Sequence, residues 1–185
     1  MNGLPPPAAP APPLPSPAVK RIAIIGCGGA GKTVLANRLA ALLDLPVINL
    51  DAIYYDENWR EKTTDEFAAI QRKMVTADRW IIDGNHASTL HIRAKRADTV
   101  IFLDLPVRTC LWGVLQRRWR YRGGQYPHGV YDRITLSFIR YVIGYRKTMR
   151  PRVATIVREH GQHTQCVTLT SRTQTKRFLQ RLGAH

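Results

Sequence analysis

Hydrophobic positions along this chain fall into two alternating patterns. Short, unbroken apolar runs rich in β-branched residues recur, and each is followed by a longer stretch with apolar residues three and four apart. RIAIIG (21–26) is a run of the first kind and predicts a strand buried on both faces. KTVLANRLAALL (32–43) is of the second kind and predicts a helix. PVINLD (46–51) predicts a second strand. Thr63 to Ala77 predicts a helix, with Thr64 as its N-cap and Phe67, Ile70 and Met74 on one face. RWIIDG (79–84) predicts a third strand, Ser88 to Arg96 a short helix, and TVIFLDLP (99–106) a fourth strand. Helices are expected over Val107 to Arg120 and over most of Asp132 to about His160. QCVTLT (165–170) predicts a fifth strand and Thr173 to Leu182 a closing helix. Strands that alternate with helices and are apolar throughout define a three-layer α/β domain on a mainly parallel sheet.

Composition changes the picture at the N-terminus. Eight of the chain's 12 prolines fall in the first 17 residues, and MNGLPPPAAPAPPLPSPA has no charged side chain. Proline cannot donate a ladder hydrogen bond and favours polyproline II. Residues 1–19 therefore read as a disordered tail ahead of one compact domain over 20–185. The tail's composition also suits a ligand for another protein. It lacks the basic region and continuous apolar core of a signal peptide. No apolar run approaches the roughly 18 residues of a membrane-spanning helix. Cys27, Cys110 and Cys166 are too few and too scattered for a disulfide framework or a zinc site. A reduced, cytoplasmic setting is expected.

The strongest chemical signal is Gly26-Cys27-Gly28-Gly29-Ala30-Gly31-Lys32-Thr33, a full G-x-x-x-x-G-K-[ST] match placed between a predicted strand and a predicted helix. Glycines let the backbone wrap a phosphate with its N–H groups turned inward, and the helix N-terminus adds its positive end. Lys32 is expected to reach the β- and γ-phosphates of ATP, and the Thr33 hydroxyl to ligate Mg²⁺. Cys27 inside the loop has two readings, a thiol activated by Lys32 and the helix end, or a small filler between glycines.

Ligands of an open α/β sheet sit beyond the carboxyl ends of its strands. Asp51 ends the second predicted strand, Asp83 the third, and Asp104 comes late in the fourth. Asp83 follows Trp80-Ile81-Ile82, as in a Walker B strand, and is a candidate Mg²⁺ ligand. Asp51 is a candidate to accept the proton of an attacking hydroxyl or to bind a substrate hydroxyl. Asp104, followed by Leu-Pro, reads as structural.

The formal net charge is +15, and residues 108–152 carry +10 of it: eleven Lys and Arg against the single acid Asp132. The glycine-rich stretch YRGGQYPHG (121–129) lies between two predicted helices. Arginine and glycine together suggest a lid, over about 117–150, that closes on phosphates. The competing reading is a nucleic-acid groove. Trp112, Trp119, Tyr121, Tyr126, Tyr131, Phe138, Tyr141 and Tyr145 interleave with the arginines as stacking platforms would. The six histidines show no metal-ligand spacing; His160 and His163 have no acidic or cysteine pair near them.

Together IIGCGGAGKT, LPVINLD, WIIDGN, IFLDLP and the late CVTLTS resemble the adenylate-kinase-like P-loop kinases, and most of all the "DNA topology modulation protein" group of predicted kinases. The resemblance spans nearly all of 21–182. It implies the P-loop NTPase fold with a five-stranded parallel sheet in the order 2-3-1-4-5 and an arginine-rich lid. It implies that Gly26 to Thr33 bind the phosphates of ATP, with Asp51, Asp83, Gly84 and Arg93 at a small-molecule acceptor and Asp83 also near Mg²⁺. Arg93 resembles an arginine that clamps an anionic group of the acceptor. Arg117 and Arg118 stand where lid-entry arginines contact the transferred phosphate, and Thr170 and Ser171 begin a loop that passes the adenine. The chain departs from true adenylate kinases in having Asn85-His86 after Asp83-Gly84 instead of an aromatic-Pro-Arg element, which speaks against AMP as acceptor. The family label also carries the alternative of a nucleic-acid-interacting P-loop protein that affects DNA topology, with a regulatory or vestigial nucleotide site.

Overall fold

Strand β1 (Arg21–Gly26) forms the middle of the fold, with Ile22 to Ile25 wholly buried. It pairs in parallel with β3 (Trp80–Asp83) on one side and β4 (Thr99–Leu103) on the other. β2 (Val47–Asn49) adds to β3 and β5 (Gln165–Leu169) to β4, giving a five-stranded parallel sheet in the order β2-β3-β1-β4-β5. The computed structural model describes residues 19–54, 60–121, 135–161 and 163–184. The proline-rich tail, the glycine-rich stretch 122–129 and the expected helix start at Asp132 lie outside the described residues.

The helices are α1 (Lys32–Leu43), α2 (Leu50–Tyr54), α3 (Thr64–Met74), α4 (Leu90–Ala94), α5 (Val107–Tyr121), α6 (Leu136–His160) and α7 (Arg172–Leu182). α7 packs beside α1, and α4 and α5 pack on α6. In α6 the buried side chains Val142, Tyr145, Met149, Val153 and Val157 recur at three and four, so one stripe faces the protein.

Several boundaries differ from the sequence reading; the fourth strand, expected to run to Pro106, ends at Leu103, so Asp104 lies just beyond it. The second strand stops at Asn49, and Leu50 starts α2; the Asn49 Oδ1 accepts the Asp51 N–H at 2.9 Å. Asp51 therefore sits in the first turn of a short helix and not at a strand end. The N-cap of α3 is Thr63, not Thr64, because only Thr63 has a glutamate three residues on: its hydroxyl accepts the Glu66 N–H, and the Glu66 carboxylate accepts the Thr63 N–H. The helix expected over Ser88 to Arg96 is split into a 3₁₀ turn, Ala87–Thr89, and α4.

At the amino ends of the strands, Asp98 ties β4 to β1. Its carboxylate accepts the Lys20 and Arg21 N–H groups at 3.0 and 2.8 Å and the Arg21 guanidinium at 2.6 Å. Burial pushes this carboxyl up, but those hydrogen bonds and the Arg21 charge outweigh it and hold Asp98 below its ordinary value. The opposite ends of the strands are left to the candidate site.

Candidate functional site

The chain leaves β1 through the glycine-rich loop into α1. Gly29 and Gly31 have φ of +77° and +91°, which side-chain-bearing residues disfavour. A Cβ on Gly31 would meet nothing within 4 Å, so the loop opens onto space at the N-terminus of α1. The other side is closely packed. A Cβ on Gly29 would strike the Cys110 carbonyl, one on Gly113 would strike the Gly29 carbonyl, and one on Gly28 would lie 2.7 Å from the Phe138 ring. The loop thus rests on the α5 backbone and under the first turn of α6. Gly113→Ala is expected to cost about 1–3 kcal/mol through overpacking. Thermal denaturation checks this, with Gly144→Ala, which has open space on α6, losing no stability.

Cys27 and Cys110 are buried at the base of the loop, and the Cys110 thiol donates to the Leu105 carbonyl at 3.9 Å. The neighbouring Cys110 thiol and burial push the Cys27 thiol up, against the pull of Lys32. Of its two readings, the neutral packing one suits these surroundings.

Lys32 reaches back across the loop, its Nζ donating to the Cys27 carbonyl at 3.2 Å. Thr33 Oγ1 donates to Asp83 Oδ2 at 2.7 Å. Asp83 is buried and lies opposite Ile24 of β1 and Asn49 of β2, so the sheet register itself sets it beside the loop. A hydroxyl and a carboxylate side by side form an oxygen donor set that suits Mg²⁺.

Asp51 is half exposed, and the His86 Nε2 stands 3.0 Å from its Oδ1. Burial raises this carboxyl, but the His86 hydrogen bond and the charges of Lys32, His86 and Arg117 prevail and hold it below the ordinary carboxylate value. The approach of His86 depends on Gly84, where a Cβ would lie 2.6 Å from the Leu50 Cβ: without one, the chain leaving β3 runs against the start of α2. The His86 ring stacks within 4.7 Å of both the Tyr54 and Phe67 rings. Asn85 turns the other way, donating to the Tyr141 hydroxyl at 2.6 Å and accepting from Tyr145 at 2.7 Å on α6. Sequence reasoning passed over His86 and Asn85; their signal was position, directly after a carboxylate at a strand's carboxyl end.

Arg93 is fully buried. It donates to Gln71 and, at 3.3 Å, to the Gly84 carbonyl, so it lies beneath the site and does not line it. Burial pulls its guanidinium down to about 9, opposed by the charges of Asp83 and Asp51. On α5, Arg117 is half buried and acts on Asp51, whereas Arg118 is exposed. Ser171 caps α7, its hydroxyl accepting the Gln174 N–H at 3.1 Å, and the next residue, Arg172, donates to Gln116 of α5 at 3.1 Å.

Part of the arginine-rich segment has a structural use. Asp104 is buried; it accepts a hydrogen bond from Arg146 at 3.0 Å and pairs ionically with Arg150 at 3.3 Å, fastening α6 over the end of β4. The structural reading of Asp104 agrees with this pairing. The interleaved aromatic residues also part company. Phe138 covers the loop and Tyr141 and Tyr145 hold Asn85, while Trp112 and Trp119 of α5 are exposed, Trp119 at 85%. Tyr126 and Tyr131 lie outside the described residues.

A glycine-rich loop between β1 and α1, on a parallel sheet ordered 2-3-1-4-5 with helices on both sides, is a P-loop NTPase fold. Similar solved structures are a shikimate kinase from Acinetobacter baumannii in complex with shikimate and a shikimate kinase from Bacteroides thetaiotaomicron. The first is 16% identical, with TM-score 0.57 over 89% of this chain and 91% of that one. The second is 20% identical, with TM-score 0.53 over 90% and 98%. A sugar kinase from a Janibacter species is 17% identical, with TM-score 0.53 over 88% and 91%. At these identities the likeness is one of fold. No family model and no curated protein matches the chain. Among the described residues, no helix is long and apolar enough to cross a membrane.

Proposed function

We propose that the chain is an ATP-dependent phosphotransferase that moves the γ-phosphoryl group of ATP to a hydroxyl of a small acceptor, a nucleoside, nucleotide or other hydroxyl compound. One observation carries this reading: the loop lysine, the touching Thr33 and Asp83, and the half-exposed Asp51 converge at one end of one sheet. Binding nucleic acid requires none of them. The similar folds of shikimate kinase and a sugar kinase support a hydroxyl acceptor.

In this reading the N–H groups of Gly26 to Thr33 cradle the phosphates and Lys32 reaches the β- and γ-phosphoryl oxygens. Thr33 and Asp83 would hold Mg²⁺, which supplies charge neutralisation on the phosphate oxygens. Asp51 accepts the acceptor's hydroxyl proton as that oxygen bonds to Pγ. The bond from Pγ to the β–γ bridging oxygen breaks, and ADP takes its electron pair. Arg117 offers a permanent cation to the charge that builds on the migrating group. Arg118, exposed one residue on, belongs to the lid expected over about 117–150. Arg93 acts from below, holding the Gly84 carbonyl and placing positive charge under Asp83 and Asp51. Ser171 fixes the turn into α7, past which the adenine would run.

The test is a calorimetric titration with Mg·ATP followed by an ATP-consumption screen over nucleosides, nucleoside monophosphates, sugars and polyols. Saturable Mg·ATP binding and turnover with one acceptor class are expected. Protein that neither binds Mg·ATP nor consumes it with any of these would refute the proposal.

A further inference from the structure

We propose that His86 is a positioning residue for the acceptor base: it holds one oxygen of Asp51 so that the other is presented to the acceptor hydroxyl. The inference rests on the phosphotransferase reading and adds to it a residue that the phosphate-loop chemistry does not use.

The argument starts from Asp51, whose side chain is 53% exposed and sits on a five-residue helix. A carboxylate so placed samples several rotamers, and a base must be aimed before it is useful. Two contacts aim it. The Asp51 N–H is taken by Asn49 Oδ1 at 2.9 Å, which fixes the backbone. The His86 Nε2 fixes Oδ1 at 3.0 Å. A carboxylate only accepts, so Nε2 carries the proton in this pair. His86 is in turn held, for its ring packs against both Tyr54 and Phe67, which also touch each other, and only 20% of its side chain is exposed.

The loop that carries His86 is anchored on both sides. Arg93 holds the Gly84 carbonyl at 3.3 Å, and Asn85 is bonded to Tyr141 and Tyr145 of α6. The imidazole is thus a rigid bracket, and Asp51 is the mobile partner that it orients. The cations facing Asp51, Lys32 from α1, Arg117 from α5 and Arg93 from α4, favour its ionised form, and the Tyr141 hydroxyl faces it from α6. Of these groups His86 is the one with a hydrogen bond to the carboxylate, so it sets direction where the others set charge.

The test uses the full chain and needs no identified acceptor. The titration of the ¹³C-labelled Asp51 carboxyl is followed by NMR in wild type, His86→Ala and His86→Gln. In parallel, Mg·ATP hydrolysis is measured with water as acceptor. His86→Ala is expected to raise the Asp51 midpoint and to lower kcat at least about tenfold, with Mg·ATP affinity unchanged. His86→Gln, which keeps an N–H donor, should recover part of both. His86→Ala in an Asp51→Asn background should add nothing, because a positioning residue has no effect once the group it positions is gone. An unmoved Asp51 midpoint, or effects of the two substitutions that simply add, would overturn the inference while Mg·ATP still binds. Wild-type protein that fails to bind Mg·ATP would overturn the phosphotransferase reading, and this inference with it.

Discussion

Lys32→Ala is expected to lower turnover by about 10²–10³ and to weaken Mg·ATP binding, the largest effect of any single side chain in the loop. Lys32 occupies the first turn of α1, and its Nζ spans the loop to the Cys27 carbonyl at 3.2 Å. That acceptor is neutral, so the ammonium gains by exchanging it for phosphoryl oxygens, where the bond is charge-assisted. Removing the side chain takes away a cation at the point where the transition state spreads negative charge. Lys32→Arg should not restore activity. A planar fork cannot take the place of a compact ammonium in a loop bounded by Phe138, Val114 and the α5 backbone. Lys32 also helps hold the Asp51 carboxyl down, so its loss should raise the Asp51 midpoint. Calorimetry and a coupled ADP assay separate the binding and turnover components. Unchanged values in both would remove Lys32 from the reaction.

The sheet was legible because parallel strands buried on both faces must be continuously apolar, and Ile22 to Ile25, Trp80 to Ile82 and Val100 to Leu103 are. The second strand was overextended for a related reason. Asn49-Leu50-Asp51 continues the alternation of apolar and polar residues, and nothing local marks Leu50 as the start of a helix. Two contacts end the strand: the chain at Gly84 comes up against Leu50, and the Asn49 side chain accepts the Asp51 N–H two residues on. The N-cap at Thr63 was readable, since the capping box fixes its partner at Glu66.

The glycine-rich loop was legible for a different reason: its eight residues are consecutive, and their pattern is local. The other side of the site is assembled from distant segments. The partners Thr33 and Asp83 are 50 residues apart, Asp51 and His86 are 35 apart, and Tyr145 and Asn85 are 60 apart. Spacing along the chain cannot announce such pairs. A count of charge along the arginine-rich segment says nothing of its partners. Arg146 and Arg150 are bound to Asp104, 42 and 46 residues before them, once α6 lies over β4. The resemblance implies Arg93 as a clamp on an anionic group of the acceptor; here its guanidinium is wholly buried, with Gln71 and the Gly84 carbonyl satisfying part of it.

Asp51→Asn is expected to lower kcat by about 10²–10⁴ while leaving Mg·ATP affinity as it is, the range of a lost general base. Asp51 stands outside Gly26–Thr33 and is held by His86, so its removal takes away the proton acceptor and not the phosphate cradle. The amide keeps the size of the carboxylate and cannot accept a proton at neutral pH. The sign of the pH effect follows from the depressed Asp51 value. The base works only when ionised, so the acid limb of kcat should lie below the ordinary carboxylate value of about 3.9 and be missing in Asp51→Asn. A carboxyl depressed by folding also adds stability above its unfolded value and loses it as pH falls through the folded one. At half exposure that contribution is small, and the acid limb of kcat is the sharper readout. A single acid limb that survives unchanged in Asp51→Asn would assign the base elsewhere. With Asp83 engaged by the Thr33 hydroxyl and Asp104 by two arginines, Asp51 is, among the described residues, the carboxylate at this end of the sheet that combines solvent access with a hydrogen-bonding histidine.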